Sequence, residues 1–136
     1  GGQFAPDRTV TRQQLWMVLA RTSGSSPANM AEARTWAINS GISDGSNPTG
    51  PVSRQQLVTM LYRYAVKQNT ALSGSKDIST YADADAVSGY AKDAIAWAVG
   101  NGIVSGTSGN RLNPQGSATR AHFAAFLYRF GQKTGM

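Results

Sequence analysis

The sequence predicts an all-α fold assembled from a repeated unit: helix, glycine-rich loop, proline, helix. Three observations carry that prediction. First, Val10-Thr11-Arg12-Gln13-Gln14-Leu15, Val52-Ser53-Arg54-Gln55-Gln56-Leu57 and Ala118-Thr119-Arg120-Ala121-His122-Phe123 align without gaps, each with a hydroxyl residue followed by Arg. Second, nine residues after that Arg stands another (Arg21, Arg63, Arg129), and six before it a proline (Pro6, Pro48, Pro114). Third, Ala33-Arg34-Thr35-Trp36-Ala37 pairs with Ala94-Ile95-Ala96-Trp97-Ala98, and five residues after each Trp comes Gly-Ile, then a further glycine, Gly45 or Gly106. Self-similarity at a fixed offset is the signature of a repeat architecture.

The elements follow in order. Leu15, Val18 and Leu19 lie three, six and seven residues past Arg12, and Leu57, Met60, Leu61 and Phe123, Phe126, Leu127 repeat the spacing. That is one apolar helical stripe built three times, predicting helices near 11–22, 53–68 and 119–132. Thr11, Ser53 and Thr119 read as N-caps. Gln14 and Gln56 stand where a capping box needs them, and His122 is a weaker choice in the third copy. The Trp segments predict helices near 28–40 and 89–101, closed by Gly41 and Gly102 in the left-handed conformation. Residues 69–88, rich in Ser, Gly and Asp, form a long connection with at most one short turn, and no strand is expected. The organisation is therefore a single domain, 1–136. Residues 1–24 are the second half of a first repeat, 25–68 a second repeat and 69–136 a third. The chain reads as starting in the middle of a repeat.

Composition excludes much. At 136 residues the chain suits one domain with a modest core. It carries thirteen Lys+Arg, nine of them Arg, against seven Asp+Glu, with one His, one Glu and no Cys. Cys/His zinc sites and Cys–His catalysis lack their residues. No Gly-x-Ser-x-Gly elbow accompanies His122. The Asp83, Asp85, Asp93 spacing does not match a calcium loop, and Gly102–Gly109 lacks the lysine of a phosphate loop. No cofactor, metal or catalytic residue is expected. The basic charge is spread without a run, and the loops are too long for a helix-turn-helix, so no nucleic acid is expected. No apolar run approaches the roughly 20 residues of a membrane span.

The motif Arg is the informative residue. A cation in the first helical turn meets the positive end of the macrodipole. Helix stability therefore does not explain its threefold recurrence. An anion there would meet the guanidinium and free N–H groups together. The structural alternative is an Arg whose stem packs on a neighbour and whose head bridges to a carbonyl or Asp. Trp36 and Trp97 read as core. Trp16 has no aromatic counterpart and could be either a platform or packing.

Tyr81-x-Asp83, Tyr90-Ala91-x-x-Ala94-Ile95, Gly102-Ile103-x-x-Gly106, Leu112-x-Pro114 and Ala118-Thr119-Arg120-Ala121 together resemble the S-layer homology repeats of bacterial cell-surface proteins. The resemblance covers nearly the whole chain. It implies a pseudo-threefold helical bundle, and an extracellular module without catalytic activity that binds a secondary cell-wall polysaccharide, often pyruvylated, in grooves between repeats. By position it implies ligand-binding roles for Arg12, Arg54, Arg120, Asp83, Tyr90, Gly45 and Gly106. The alternative is a degenerate module that binds another protein or a neighbouring domain of the same polypeptide. The family's motif Glu is replaced by Gln14, Gln56 and His122, Tyr90 stands where Trp is usual, and Asn29 fills the aromatic slot of the middle copy. At most one or two working grooves are expected, with the copy around Arg120 first.

Overall fold

The computed structural model describes residues 9–68, 75–104 and 111–134, the last two as backbone only. The described residues hold five α-helices: α1 (Arg12–Thr22), α2 (Met30–Asn39), α3 (Arg54–Lys67), α4 (Lys92–Gly100) and α5 (Arg120–Thr134). Short 3-10 turns at Ala84–Ala86 and Gly89–Ala91 precede α4. The fold is all-α, with no strand among the described residues. α2 starts later than its pattern suggests because Asn29, in the family's aromatic slot, is an N-cap that accepts from the Glu32 N–H. Capping boxes close at Thr11/Gln14 and Ser53/Gln56. The third box is complete too. His122 Nδ1 accepts from the Thr119 N–H (3.2 Å) and Thr119 Oγ1 from the His122 N–H (3.1 Å), so the imidazole does the work of glutamine.

The three copies are joined by a closed ring of backbone hydrogen bonds. Val10 N–H donates to Ala118 O (3.0 Å), Ala118 N–H to Val52 O (2.7 Å) and Val52 N–H to Val10 O (3.1 Å). All three residues are buried, so their polar groups need internal partners. The extended residues before each Arg helix therefore meet around a pseudo-threefold axis, as isolated bridges instead of strands.

The first two helix starts are then capped by the following copy. The Arg12 and Gln13 N–H groups donate to Gly50 O (3.1 Å) and Pro48 O (2.9 Å). Arg54 and Gln55 donate likewise to Gly116 O (2.8 Å) and Pro114 O (2.9 Å). These bonds explain the proline in constant register. Asn47-Pro48-Thr49-Gly50 and Asn113-Pro114-Gln115-Gly116 are matching turns, both with Asn in the left-handed region (φ 50 and 52), and they aim their carbonyls at the neighbouring helix. The free N–H groups expected beside the motif Arg are thus already occupied in the first two copies.

α2 packs along α1 and α4 along α3. Their close approach uses paired alanines, Ala33/Ala37 and Ala94/Ala98, all essentially buried. Trp97 lies between Tyr62 (5.2 Å) and Phe130 (6.0 Å), and Trp36 meets Tyr64 (6.5 Å). Trp16 is fully buried, which makes it packing, not platform. The second Arg of each repeat is structural in two copies: Arg63 Nη1 donates to Ile42 O (3.2 Å) and Arg129 Nη1 to Ile103 O (3.1 Å). Each pins the end of a Trp helix to the Arg helix of its own copy.

Candidate functional site

The pseudo-threefold arrangement makes three related grooves. In each, the motif Arg of one copy faces the residues two and six positions past the motif Arg of another copy. The pairs are Arg12 with Gln56 and Met60, Arg54 with His122 and Phe126, and Arg120 with Gln14 and Val18. Their chemistry differs.

The groove at Arg12 is open and polar, about 410 Å³ in volume, and draws on all three copies. The first copy supplies Arg12 and the second supplies Ser43, Asp44, Ser46, Thr59 and Arg63; Tyr90 of the third stands at its rim. Arg12 Nε is buried and has no hydrogen-bond partner among the described residues. A buried donor left without a partner costs about 1–3 kcal/mol, and the same side chain lines the groove. The Ser46 hydroxyl (2.7 Å) and N–H (2.9 Å) both donate to Asp44 Oδ1. Those bonds, and then the Arg12 charge, hold its carboxyl below the usual range despite slight desolvation. Asp44 thus stays an acceptor at neutral pH. Tyr90 is 53% exposed, a free ring at the rim.

Gly45 shapes that rim without offering a side chain. Its φ is +78, and a Cβ there would meet Ile38 Cδ1 at 2.6 Å. Its carbonyl accepts from Arg34 Nε (2.8 Å), which ties the Ser43–Ser46 turn to α2.

The groove at Arg54 is filled. Phe126 occupies the position held elsewhere by Met60 and Val18, and the Arg54 guanidinium lies over its ring at 5.4 Å. Arg54 is 5% exposed and donates from Nε to Leu112 O (3.2 Å). Burial pulls its pKa below the ordinary guanidinium value, and Asp83 partly opposes that. Asp83 accepts from the Leu112 (2.7 Å) and Asn113 (2.8 Å) N–H groups. Burial pushes its pKa up, but those N–H groups outweigh burial and leave the carboxyl below its ordinary value. Arg54 and Asp83 therefore clamp the backbone of Leu112 from its two sides. For these two the structural alternative describes the geometry.

The groove at Arg120 is apolar, lined mainly by Val10, Val18, Phe123, Ala124 and Leu127, in about 360 Å³. Gly106 lies outside the described residues. Of the residues singled out by sequence, the structure brings Arg12 and Tyr90 together, with Gly45 beneath. Arg54, Asp83 and Arg120 stand elsewhere. Arg63, Asp44, Ser46 and Thr59 were not foreseen as groove residues. The nine-residue offset was the available signal for Arg63, and the Asp-Gly-Ser turn for Asp44 and Ser46.

Residues 80–124 match the family model "S-layer homology domain". The chain is 29% identical over 153 residues to an amylopullulanase of Thermoanaerobacterium thermosulfurigenes, covering 98% of this chain and 8% of that protein. It is 27% identical over 143 residues to the surface-layer 125 kDa protein of Lysinibacillus sphaericus, covering 94% and 12%, and 26% identical over 152 residues to exoglucanase XynX of Acetivibrio thermocellus, covering 97% and 14%. The chain thus spans a small fraction of the curated relatives it matches. Among solved structures, an undecaheme cytochrome from the S-layer of Carboxydothermus ferrireducens shares the fold: TM-score 0.62 at 21% identity, over 98% of this chain and 19% of that one. Family match and surface-layer relative place the chain at the cell surface or cell wall. No described helix is long and apolar enough to cross a membrane.

Proposed function

We propose that this chain, whose residues 80–124 match the S-layer homology domain model, serves as a wall-anchoring module that binds an anionic secondary cell-wall polysaccharide, without catalysis, in the groove at Arg12. The observation that supports the reading is the Arg12 side chain lining an open polar groove where all three copies meet. A carboxylate, such as a pyruvate ketal, would accept from Arg12 as a charge-assisted bond. Asp44 and Thr59 would accept from sugar hydroxyls, and the free Tyr90 ring would lie against a sugar's apolar face. Arg63 keeps the groove cationic while holding Ile42 O.

The test is binding of purified wall polysaccharide before and after its carboxylates are removed. Arg12→Ala is expected to weaken binding by about 10- to 150-fold, the equivalent of about 1.5–3 kcal/mol for one charge-assisted bond. Arg120→Ala is expected to change it little. Wild-type affinity in Arg12→Ala would refute the assignment.

A further inference from the structure

We propose that the open flank of Trp36 on α2 is a second carbohydrate site, a stacking platform for an uncharged pyranose ring, separate from the groove at Arg12. Trp36 and Trp97 hold equivalent places in the repeat, yet the structure treats them differently. Trp97 is 4% exposed, with Tyr62 (5.2 Å) and Phe130 (6.0 Å) against it. Trp36 is only partly buried. The counterpart of Phe130, ten residues past the motif Arg, is present as Tyr64 (6.5 Å). The counterpart of Tyr62, eight residues past, is Ala20, which has no ring to lay on the indole. The flanking positions differ in the same sense. On α4 they are Ala96 and Gly100, and the chain at Ser75 and Lys76 lies across them. Lys76 N–H donates to Ala96 O (3.1 Å), and a Cβ on Gly100 would meet the Ser75 backbone at 2.5 Å. On α2 the same positions carry Thr35 and Asn39, both exposed.

The second copy thus lacks both covers of its Trp and has polar side chains where the third has small ones. Between them lies an open hollow of about 300 Å³, walled by Trp36, Pro27, Ser25, Glu32, Thr35 and Asn39. A ring framed by hydrogen-bonding groups suits a sugar, whose C–H face lies on the indole while its hydroxyls meet the edge. The Thr35 hydroxyl gives its hydrogen to Ala31 O (3.1 Å) and keeps lone pairs for a ligand hydroxyl. The Asn39 amide can both donate and accept. Glu32, whose Oε1 takes the Ala28 N–H (2.9 Å), sets a negative charge at the edge and turns carboxylates away. The ligand is therefore a neutral glycan, unlike the anionic one proposed for Arg12. The two sites do not merge. Arg34 reaches the Gly45 turn of that groove (2.8 Å), and Trp36, two residues on, lies about 200° around the helix from it.

The whole chain is titrated with uncharged tetrasaccharides of glucose and of N-acetylglucosamine, by calorimetry and by acrylamide quenching of tryptophan emission. Trp16 and Trp97 are buried, so the quenchable signal is that of Trp36. The expected result is saturable binding of at least one tetrasaccharide, with a blue shift and protection from the quencher. Affinity should fall at least about tenfold in Trp36→Ala and about threefold in Asn39→Ala, and stay unchanged in Arg12→Ala. Asn39 is exposed, so its variant keeps the fold, and thermal midpoints check both. Saturable binding of neither sugar would overturn the proposal, as would binding indifferent to Trp36→Ala and Asn39→Ala. Binding that disappears in Arg12→Ala would overturn it equally, by giving the sugar to the other groove. Affinity for the anionic polymer in that same variant bears only on the groove at Arg12, so the two readings fail separately.

Discussion

Replacing Arg54 by Ala separates two meanings of one repeated arginine. The substitution removes the Nε bond to Leu112 O at 3.2 Å and the guanidinium over Phe126 at 5.4 Å. A hydrogen bond from a charged donor contributes about 1.5–3 kcal/mol, and a cation over a ring about 0.5–2 kcal/mol. Against these stands the desolvation of the guanidinium, whose pKa burial pulls down. The net expectation is a loss of about 3 kcal/mol, or roughly 10 °C in midpoint for a domain of this size. Arg54→Met keeps the stem's packing and removes the desolvated charge, so it should cost only about 1 kcal/mol. Urea unfolding followed by tryptophan fluorescence measures both variants, with polysaccharide affinity measured where both are folded. The reasoning fails if Arg54→Ala stays within about 1 kcal/mol of wild type while losing affinity as fully as Arg12→Ala.

Four further outcomes are expected. Phe126→Met puts the residue of the open groove into the closed one, so Arg54 should gain access to ligand. Calorimetry with a short polymer fragment should then count two sites where the wild type has one. Gly45→Ala places a side chain at φ +78 against Ile38. It should destabilise by about 1–3 kcal/mol and weaken ligand binding through the displaced Ser43–Ser46 turn, both read in parallel titrations. Burial, and then the Arg54 charge, hold the His122 imidazole below its ordinary pKa. The unfolded chain therefore binds the extra proton first, and stability falls as pH drops from about 6.5 through the depressed folded value. His122→Gln rebuilds the box seen at Gln14 and Gln56 and should flatten that part of the midpoint–pH curve. Asp83, depressed in the fold, stabilises above about pH 4 and stops doing so as pH falls through its folded value. Asp83→Asn should lower the midpoint at neutral pH and shrink the acid-limb drop.

The helices and their stripes were legible because their physics is local. A hydroxyl residue before Arg, an apolar residue three later and a glycine after the Trp segment each act within a turn or two. The ring through Val10, Val52 and Ala118 was not legible, since each copy contributes one buried hydrogen bond and no strand-length alternation. Nor was the occupation of the helix-start N–H groups. The carbonyls that take them belong to another copy's Asn-Pro-x-Gly turn, and a repeated proline alone does not say where its carbonyl points. Trp16 was undecidable for the same reason: only α2, docked from the next copy, decides that it is buried.

The candidate site shows what a motif carried over by position leaves undetermined. The third copy has the fullest family pattern, which ranks Arg120 first by sequence. A groove, however, is not the property of one copy. It is made by the motif Arg of one and the residue six past the Arg of another, and that residue is Val18, Met60 or Phe126. Methionine lies along the groove wall and leaves Arg12 facing open space. Phenylalanine, in the same place, fills the space and takes the guanidinium onto its ring. Valine leaves room, but the groove at Arg120 also lacks a counterpart of the Ser43–Ser46 turn among the described residues, so its walls are apolar helix faces. Three arginines that begin as equals therefore become a presented cation, a core cation and a cation beside an apolar face. The residues that make them so lie elsewhere in the chain.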